Sequence, residues 1–438
     1  MAKLRSTLLT GKRLQCGVKA GKQYLTGLDI FNGHVGIPII LIYKNGIDLQ
    51  QAEQALVETL KHYPIIAGRY KKDAEGHAFV DINDAGIDFN VHRAEGPLPY
   101  GQHHPLGSDI HKFYKMLFLW QVFDKDMPLL KINIYEYEDG GVVMSFYGPH
   151  SLFDGAAFWG FMADWSRAIK GEEIKGQSFD RQVVIDAGLT GVDPAGYDLV
   201  YEPTMASRLA LFTKLIWNFA TDMRKDVFRI PASTVQKWKE QVKTELPDSP
   251  GVSTVDLITA YCMKVFSPLM PRGVPRSVGI VLDLRHKRRL RIPRDYFGNA
   301  LCYGEAFYTE QELADCSLPV LAERCRPQAD QVSTESLFKL LTVMEQYRQR
   351  QGIWRLFFKP AKETLTGGMI LNNCTPFPMY DIDLGKGTPD WYDICPVMFR
   401  MLMVVQTPEK DGGMDLHITA PKRELKALRD QLKMDGVS

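Results

Sequence analysis

Strand-like and helix-like segments alternate along nearly the whole chain, and this order restricts it to folds in which β-sheets are covered by α-helices. Gly36–Tyr43 is an Ile-rich run typical of a buried strand, and Leu49–His62 carries apolar residues at helical spacing. Pro327 is expected to end one of the predicted helices. The same patterns predict further strands at 130–137, 142–147, 226–230, 278–284, 398–406 and 414–418, and further helices at 156–169, 232–242, 253–266, 317–326, 335–351 and 421–433.

The chain length of 438 residues suits two domains of about 200 residues each. Between 171 and 225, glycines and prolines recur and no regular strand pattern is visible, which indicates a long connection. We therefore expect an N-terminal domain at 1–185, a crossover linker at 186–225 and a C-terminal domain at 226–438.

Net charge and cysteine usage exclude several classes of protein. The formal net charge is +1, so the chain as a whole is not attracted to nucleic acid or to an anionic membrane. No apolar stretch approaches the roughly 20 residues of a membrane span. The seven cysteines are dispersed and none forms a CxxC pair, which argues against a disulfide framework and a structural zinc site. We expect a soluble protein in the cytoplasm, a reducing compartment.

The segment GPHSLFDG at 148–155 carries the sharpest chemical signal. A predicted hairpin strand leads into it and a predicted amphipathic helix follows, which places His150 at a strand end. Because imidazole titrates near neutral pH, it can take a proton from an alcohol or amine and later return one. Asp154 can pair with a cation or cap the helix. From these residues alone, a packed core histidine is the alternative to a catalytic one.

Six segments, in order, resemble those of the BAHD acyltransferases, a family within the chloramphenicol-acetyltransferase-like and condensation-domain superfamily. They are Leu28-Asp29, which is similar to the start of the family's first strand, LKHYPIIAGR at 60–69, HSLFDG at 150–155, DLR at 283–285, YFGNA at 296–300 and DLGKGTP at 383–389. In the last of these, Leu384 and Lys386 stand where the family has aromatic residues. The resemblance implies an α/β fold of two chloramphenicol-acetyltransferase-like domains, each a mixed sheet flanked by helices, with the active-site channel between them. It also implies that a segment near 386–405 crosses to the N-terminal domain.

The resemblance further implies roles for individual residues. His150 is expected to be the general base that deprotonates the acceptor, which attacks the thioester carbonyl directly without a covalent acyl-enzyme. Asp154 is expected to form an ion pair with Arg285 that shapes the site. Asp383, Gly385 and Gly387 are expected to shape a loop between the halves. Gly155 is expected to allow a close backbone approach or an unusual φ angle.

A stretch just before this loop is a candidate for contacting the reacting groups. Asn372, Asn373 and Thr375 lie where relatives line the acceptor pocket, and their amides and hydroxyl could donate to a developing oxyanion. An ordinary loop is the alternative. Cys374 lies among them, but no base is placed beside it, and it is not expected to be a nucleophile.

Basic and histidine-rich stretches give two further hypotheses. A cationic run after the DLR segment could bind the phosphates of coenzyme A or of a carrier-protein phosphopantetheine, with a solvated basic loop as the alternative; the candidates are Lys287, Arg288, Arg289 and Arg291. A second stretch has no characteristic ligand spacing, so no metal site is expected there; it contains His103, His104, Asp109 and His111.

The first hypothesis for function is an acyl-CoA-dependent O- or N-acyltransferase of secondary metabolism. Acyl-CoA would be a co-substrate, the acceptor a small molecule, and no cofactor would be permanently bound. The second hypothesis is a stand-alone condensation enzyme that takes its acyl group from a carrier protein. The third is a non-catalytic binding protein on the same fold, which the intact HxxxDG pattern disfavours. Relatives are typically monomers, so we expect a monomer.

Overall fold

The computed structural model describes residues 4–33, 36–100, 112–113, 123, 126–249, 251–330 and 332–437, without the side chains of 286 and 326–330. Within these ranges the helices are α1 (Gly27–Asn32), α2 (Leu49–His62), α3 (Gly155–Ile169), α4 (Gln182–Gly188), α5 (Met205–Thr221), α6 (Ala232–Glu245), α7 (Thr254–Phe266), α8 (Glu310–Asp315), α9 (Leu318–Asp330), α10 (Thr334–Gln349), α11 (Lys359–Glu363) and α12 (Lys422–Met434). The strands are β1 (Ser6–Leu14), β2 (Gly21–Tyr24), β3 (Gly36–Tyr43), β4 (Arg69–Lys72), β5 (Ala78–Ile82), β6 (Ile87–Ala94), β7 (Lys131–Glu136), β8 (Val142–Pro149), β9 (Val200–Tyr201), β10 (Met223–Ile230), β11 (Arg276–Asp283), β12 (Leu301–Tyr308), β13 (Phe357–Phe358), β14 (Gly368–Asn373), β15 (Trp391–Ile394), β16 (Met401–Gln406) and β17 (Met414–Pro421).

The first of two six-stranded sheets has the order β1-β6-β7-β8-β3-β15, in which only β6 and β7 are parallel neighbours. Leu56 of α2 and Trp165 of α3 belong to the same apolar core as Phe146 of β8. The Trp165 indole N–H also donates to the Ala52 carbonyl of α2 at 2.8 Å, which fixes the two helices to each other. All eight residues of β8 are buried. A strand packed in this way holds the residue that follows its end in a defined position.

The second sheet has the order β10-β17-β16-β14-β11-β12, and β14 is parallel to both of its neighbours. Apolar residues of β16 and β17 pack with α7 and α12 in a separate core, which includes Leu257, Leu402, Ile418 and Leu428. Because successive side chains of a strand point to opposite faces, the alternate residues of β16 and β17 point away from these helices and toward the first sheet.

One strand near the C-terminus joins the first sheet. β15 pairs antiparallel with β3, so that Trp391 lies opposite Ile42 and Ile394 opposite Ile39. The chain then returns to the second sheet as β16. The two sheets are therefore connected by a shared stretch of chain as well as by the long connection between them.

Most of the predicted helices and strands are confirmed, with ends shifted by a few residues. Two predictions are wrong. Leu28-Asp29 lies in α1 rather than at the start of a strand, because Thr26 and Asp29 form a reciprocal capping box that begins a helix there. The helix predicted to end before Pro327 continues through it to Asp330.

The connection between the halves holds more regular structure than its composition indicated. Residues 186–225 include the 17-residue helix α5, of which only Arg208 and Leu215 are buried. The division of the chain at 185 and 226 stays a prediction. Of the helices within the described ranges, none combines the length and the apolar character needed to cross a bilayer.

Candidate active site

A cavity of about 240 Å³ lies between the two sheets. Both halves contribute to its wall, which is mainly apolar with a few polar groups, as is typical of small-molecule sites. From the first half the wall includes Ile37, Ile39, Tyr147, His150 and Trp159, and from the second half it includes Asn372, Met401, Met403, His417 and Thr419.

His150 reaches this wall from the tight turn that joins β8 to α3. The side-chain amide of Asn299 donates to the His150 carbonyl oxygen at 2.7 Å. On the next residue, the Ser151 hydroxyl shares a 2.7 Å hydrogen bond with the Tyr70 hydroxyl. The turn is therefore held through its backbone by Asn299 and through the Ser151 side chain by Tyr70, and His150 lies on the cavity wall.

The protonation state of His150 suits a base. Burial lowers the pKa of His150 below its ordinary value, although its own carbonyl, the Asp154 carboxylate and Asn299 act in the opposite direction. A lowered pKa keeps the imidazole neutral at pH 7, with a lone pair free to accept a proton.

Asp154 and Arg285 form a buried bidentate ion pair. Nη1 and Nη2 of Arg285 donate to the two carboxylate oxygens at 2.9 and 3.0 Å. Asp154 also caps α3 by accepting from the Ala157 N–H at 3.0 Å, and it accepts from the Ala300 N–H at 2.9 Å. Arg285 donates further to two carbonyls of the 296–300 segment. The pair thus ties the start of α3 to the second half of the chain.

A second buried ion pair lies beneath the same turn. Nε of Arg181 donates to Asp29 at 2.8 Å, and neither side chain is exposed. Asp29 also accepts from the backbone N–H and the side-chain amide of Asn299, each at 3.0 Å. Arg181 in turn donates to the Leu152 carbonyl at 2.7 Å. The turn that carries His150 is therefore supported by two ion pairs and an amide.

Sequence reasoning assigned no role to these three residues. Asp29 and Asn299 lie in segments that resemble the family, and that resemblance is the signal that could have found them. Arg181 lies at the start of α4, in a region without a clear pattern, and nothing local marks it.

The glycines of the predicted site are of two kinds. Gly155 has no positive φ, but a Cβ placed on it would lie 2.8 Å from the Phe377 ring, so a close approach explains it. Gly385 and Gly387 have φ of +98° and +111°, a region that favours glycine, and both donate to the Asp383 carboxylate. This loop packs against the start of α2 and does not line the cavity.

The 372–375 stretch is only partly at the cavity. Asn372 and Cys374 line it, whereas Asn373 is exposed and accepts hydrogen bonds from the backbone and hydroxyl of Thr375. Burial raises the pKa of the Cys374 thiol to about 12, so it stays protonated at pH 7.

The basic run lies outside the cavity wall. Lys287 is half-buried, and the exposed members are Arg288, Arg289 and Arg291.

The disfavoured metal hypothesis rested on His103, His104, Asp109 and His111, which lie outside the described residues. Among the residues that are described, no group of three or more His, Cys, Asp or Glu could hold a metal ion.

Comparison with known proteins places nearly the whole chain in one group. A family model described as the Transferase family matches residues 19–435. A hydroxycinnamoyl-CoA:5-hydroxyanthranilate N-hydroxycinnamoyltransferase of Avena sativa is 22% identical over 396 residues, covering 87% of this chain and 85% of the relative. Acyltransferase Pun1 of Capsicum frutescens is 23% identical over 356 residues, covering 77% and 72%.

Solved structures share the fold at low identity. Vinorine synthase superposes with a TM-score of 0.71 at 18% identity, covering 97% of this chain and 96% of that chain. F. graminearum TRI101 complexed with coenzyme A and T-2 mycotoxin gives a TM-score of 0.75 at 16% identity, covering 94% and 97%. These likenesses confirm the predicted fold of two chloramphenicol-acetyltransferase-like domains.

Proposed function

Because the chain belongs to the BAHD acyltransferases, the transferase family whose model it matches over residues 19–435, we propose that it transfers an acyl group from acyl-CoA to a hydroxyl or amine of a small-molecule acceptor, with His150 as general base. One observation carries this proposal. A histidine with a lowered pKa lies on the wall of a cavity between the two sheets, where two substrates can meet.

The reaction needs one base and no covalent enzyme intermediate. His150 accepts the proton of the acceptor O–H or N–H while the acceptor atom bonds to the thioester carbonyl carbon. The carbonyl oxygen becomes an oxyanion, to which the Asn372 amide on the cavity wall is the proposed donor. Collapse of this intermediate breaks the C–S bond, and protonated His150 returns the proton to the departing thiolate. The products are an ester or amide and free coenzyme A.

The remaining site residues act by positioning in this scheme. Asp154, Arg285 and Asn299 bond to the turn or to each other, and none of the three lines the cavity. They fix where the imidazole stands relative to the thioester, and small errors in such placement reduce rates strongly.

Relatives support acyl-CoA as the donor. The Avena sativa relative is named for hydroxycinnamoyl-CoA, and the TRI101 structure contains coenzyme A. In this chain the proposed phosphate contacts are cationic and at or near the surface, where guanidinium groups can bind phosphate oxygens bidentately; they are Lys287, Arg288, Arg289 and Arg291.

A thiol-release assay tests the proposal. The purified chain would be incubated with acetyl-, malonyl-, long-chain and hydroxycinnamoyl-CoA, with and without a panel of alcohols, phenols and amines. Acceptor-dependent release of coenzyme A is expected for at least one pair. His150→Ala should abolish it, whereas His62→Ala, which removes an exposed histidine of α2, should leave it unchanged.

The same assay separates the alternatives. Turnover of free acyl-CoA without any carrier protein excludes a strict requirement for a carrier-bound acyl group. Activity that survives in His150→Ala would remove the catalytic role of this residue. Ligand binding without turnover in every pair would favour a binding protein on this fold.

A further inference from the structure

A cluster of ionisable side chains lies at the cavity, apart from His150 and its supports. Lys225 of β10 forms an ion pair with Asp393 of β15, and Nδ1 of His417 of β17 lies 3.5 Å from the same carboxylate oxygen. The side chains of Lys225, Asp393 and His417 are 5%, 0% and 1% exposed. None of the three has a role in the proposed acyl transfer.

Strand register explains which of these groups face the cavity. Lys225 lies directly opposite Thr419 in the β10–β17 pair, and His417 lies two residues before Thr419 on the same face. Lys225, His417 and Thr419 all line the cavity, whereas Asp393 does not. Asp393 belongs to a strand of the first sheet, and its carboxylate contacts both Lys225 and His417. A ligand in the cavity therefore meets N–H and O–H donors.

Burying the Lys225–Asp393 ion pair costs free energy, because both charged groups lose their contact with water. A buried ion pair is often no more stabilising than apolar side chains of the same volume, so stability alone does not account for it. Oδ2 of Asp393 has no hydrogen-bond partner within the described residues, and the Lys225 ammonium, with three donors, makes its one described bond to Oδ1. Burial also lowers the pKa of Lys225 to about 7, so a further anion nearby would stabilise its charged form.

We propose that Lys225 and His417, backed by Asp393, form a subsite that binds a carboxylate carried by one of the two substrates. This inference rests on the proposed acyl transfer and adds a substrate class to it. The Lys225 ammonium has donors beyond its bond to Asp393, and a bound carboxylate would accept hydrogen bonds from them and from a ring N–H of His417. Thr419 adds a hydroxyl donor on the same face.

The distance to His150 defines the shape of that substrate. Asp393 lies opposite Ile40 of β3, four residues from Gly36, which pairs with Pro149 beside His150. Strand rise and spacing place the backbone of Asp393 roughly 13 Å along β3 and roughly 10 Å across the sheet from Pro149, a separation of roughly 16 Å. A hydrogen bond of roughly 3 Å at each end of the substrate leaves roughly 10 Å between the reacting atom and the carboxylate.

The wall between the two ends is apolar, with Ile37, Ile394, Met401 and Met403 among its residues. The substrate is therefore an amphipathic acid: an apolar body with its carboxylate far from the reacting atom. The carboxylate can belong to the transferred acyl group or to the acceptor, since both meet at His150.

Paired substrates test the proposal and identify the source. In one arm, ω-carboxyacyl-CoA donors are compared with their methyl esters against a neutral acceptor. In the other, carboxylic acid acceptors are compared with their methyl esters against a neutral donor. In whichever arm contains the substrate that the subsite binds, kcat/KM for the acid should exceed that for its methyl ester by about 10- to 100-fold, which is the contribution of charge-assisted hydrogen bonds. The other arm should show no preference.

The double variant Lys225→Met/Asp393→Leu removes both charges together and replaces them with apolar side chains of similar volume. It should abolish the acid preference, so that the acid and its methyl ester have kcat/KM values within about twofold of each other. His417→Gln, a milder change, should reduce the same preference. Equal rates for acid and ester in both arms of the wild-type protein would overturn the subsite while leaving acyl transfer intact. Absence of turnover with every pair, neutral pairs included, would overturn the proposed function and this inference with it.

Discussion

Replacing Arg285 by Met should destabilise the protein by about 3–5 kcal/mol, because it leaves the Asp154 carboxylate buried without a counter-ion. The remaining partners of Asp154 are two backbone N–H groups, those of Ala157 and Ala300, which do not carry a full charge. Asp154→Asn should cost less, since the amide oxygen still caps α3 and Arg285 keeps Asp283 and its carbonyl acceptors.

The double variant decides whether the pair itself is responsible. Arg285→Met with Asp154→Asn removes both charges, so its cost should fall below the sum of the single costs by about 2–3 kcal/mol. Urea unfolding followed by tryptophan fluorescence gives each free energy of unfolding from the midpoint and slope. Strict additivity of the two single costs would refute the reasoning.

Two controls separate burial from position. Lys61→Met breaks an exposed pair with Glu58 and should cost about 0–1 kcal/mol. Arg400→Met breaks a buried pair with Glu424 in the second half, and it should cost as much stability as Arg285→Met without changing kcat. An Arg285→Met protein that is folded and fully active would show that the pair does not position His150.

Three further predictions concern the chemistry. Since burial lowers the pKa of His150, kcat/KM should be constant above pH 7 and should fall tenfold per pH unit only below an apparent pKa under about 6.5. A profile of initial rates against pH with its midpoint above 7 would contradict a buried neutral base. Asn299→Ala removes the donor to the His150 carbonyl and should lower kcat by about 10- to 100-fold with little change in KM, whereas equal changes in both would indicate a substrate contact. Cys374→Ala should keep activity within about twofold in the thiol-release assay, because the buried thiol is not ionised, and a loss beyond tenfold would assign it a part in the reaction.

The local signals pointed to His150 as a candidate, but they left a packed core histidine open, and the family resemblance favoured a general base. The eight-residue segment at 148–155 lies between a strand pattern and a helix pattern, which places His150 in a turn. Asp154 lies where a helix cap is expected. The ion pair with Arg285 was expected only from the family resemblance, since 131 residues separate the partners and no periodicity connects them. The mixed α/β class was predictable because most core strands and helices are strongly patterned.

The rest depends on contacts that no short window of sequence contains. Lys225, Asp393 and His417 come from three strands of two sheets, and each looks like an ordinary polar residue in its own segment. Asp29 was assigned to the start of a strand from the family resemblance, whereas the capping box with Thr26 begins a helix there. Exposed strands such as β1, where only the last residue is buried, have no alternation of apolar residues to detect.

The position of β15 has a consequence for chimeric proteins. This strand forms the edge of the first sheet, although it is encoded in the last eighth of the chain. A fragment that stopped before it would expose the backbone donors and acceptors of β3, an open edge that invites pairing between molecules. Exchanging C-terminal halves between two relatives would transplant that edge strand, and Asp393 with it, onto a foreign sheet. Functional hybrids are therefore expected when 391–394 is kept with the sheet it completes.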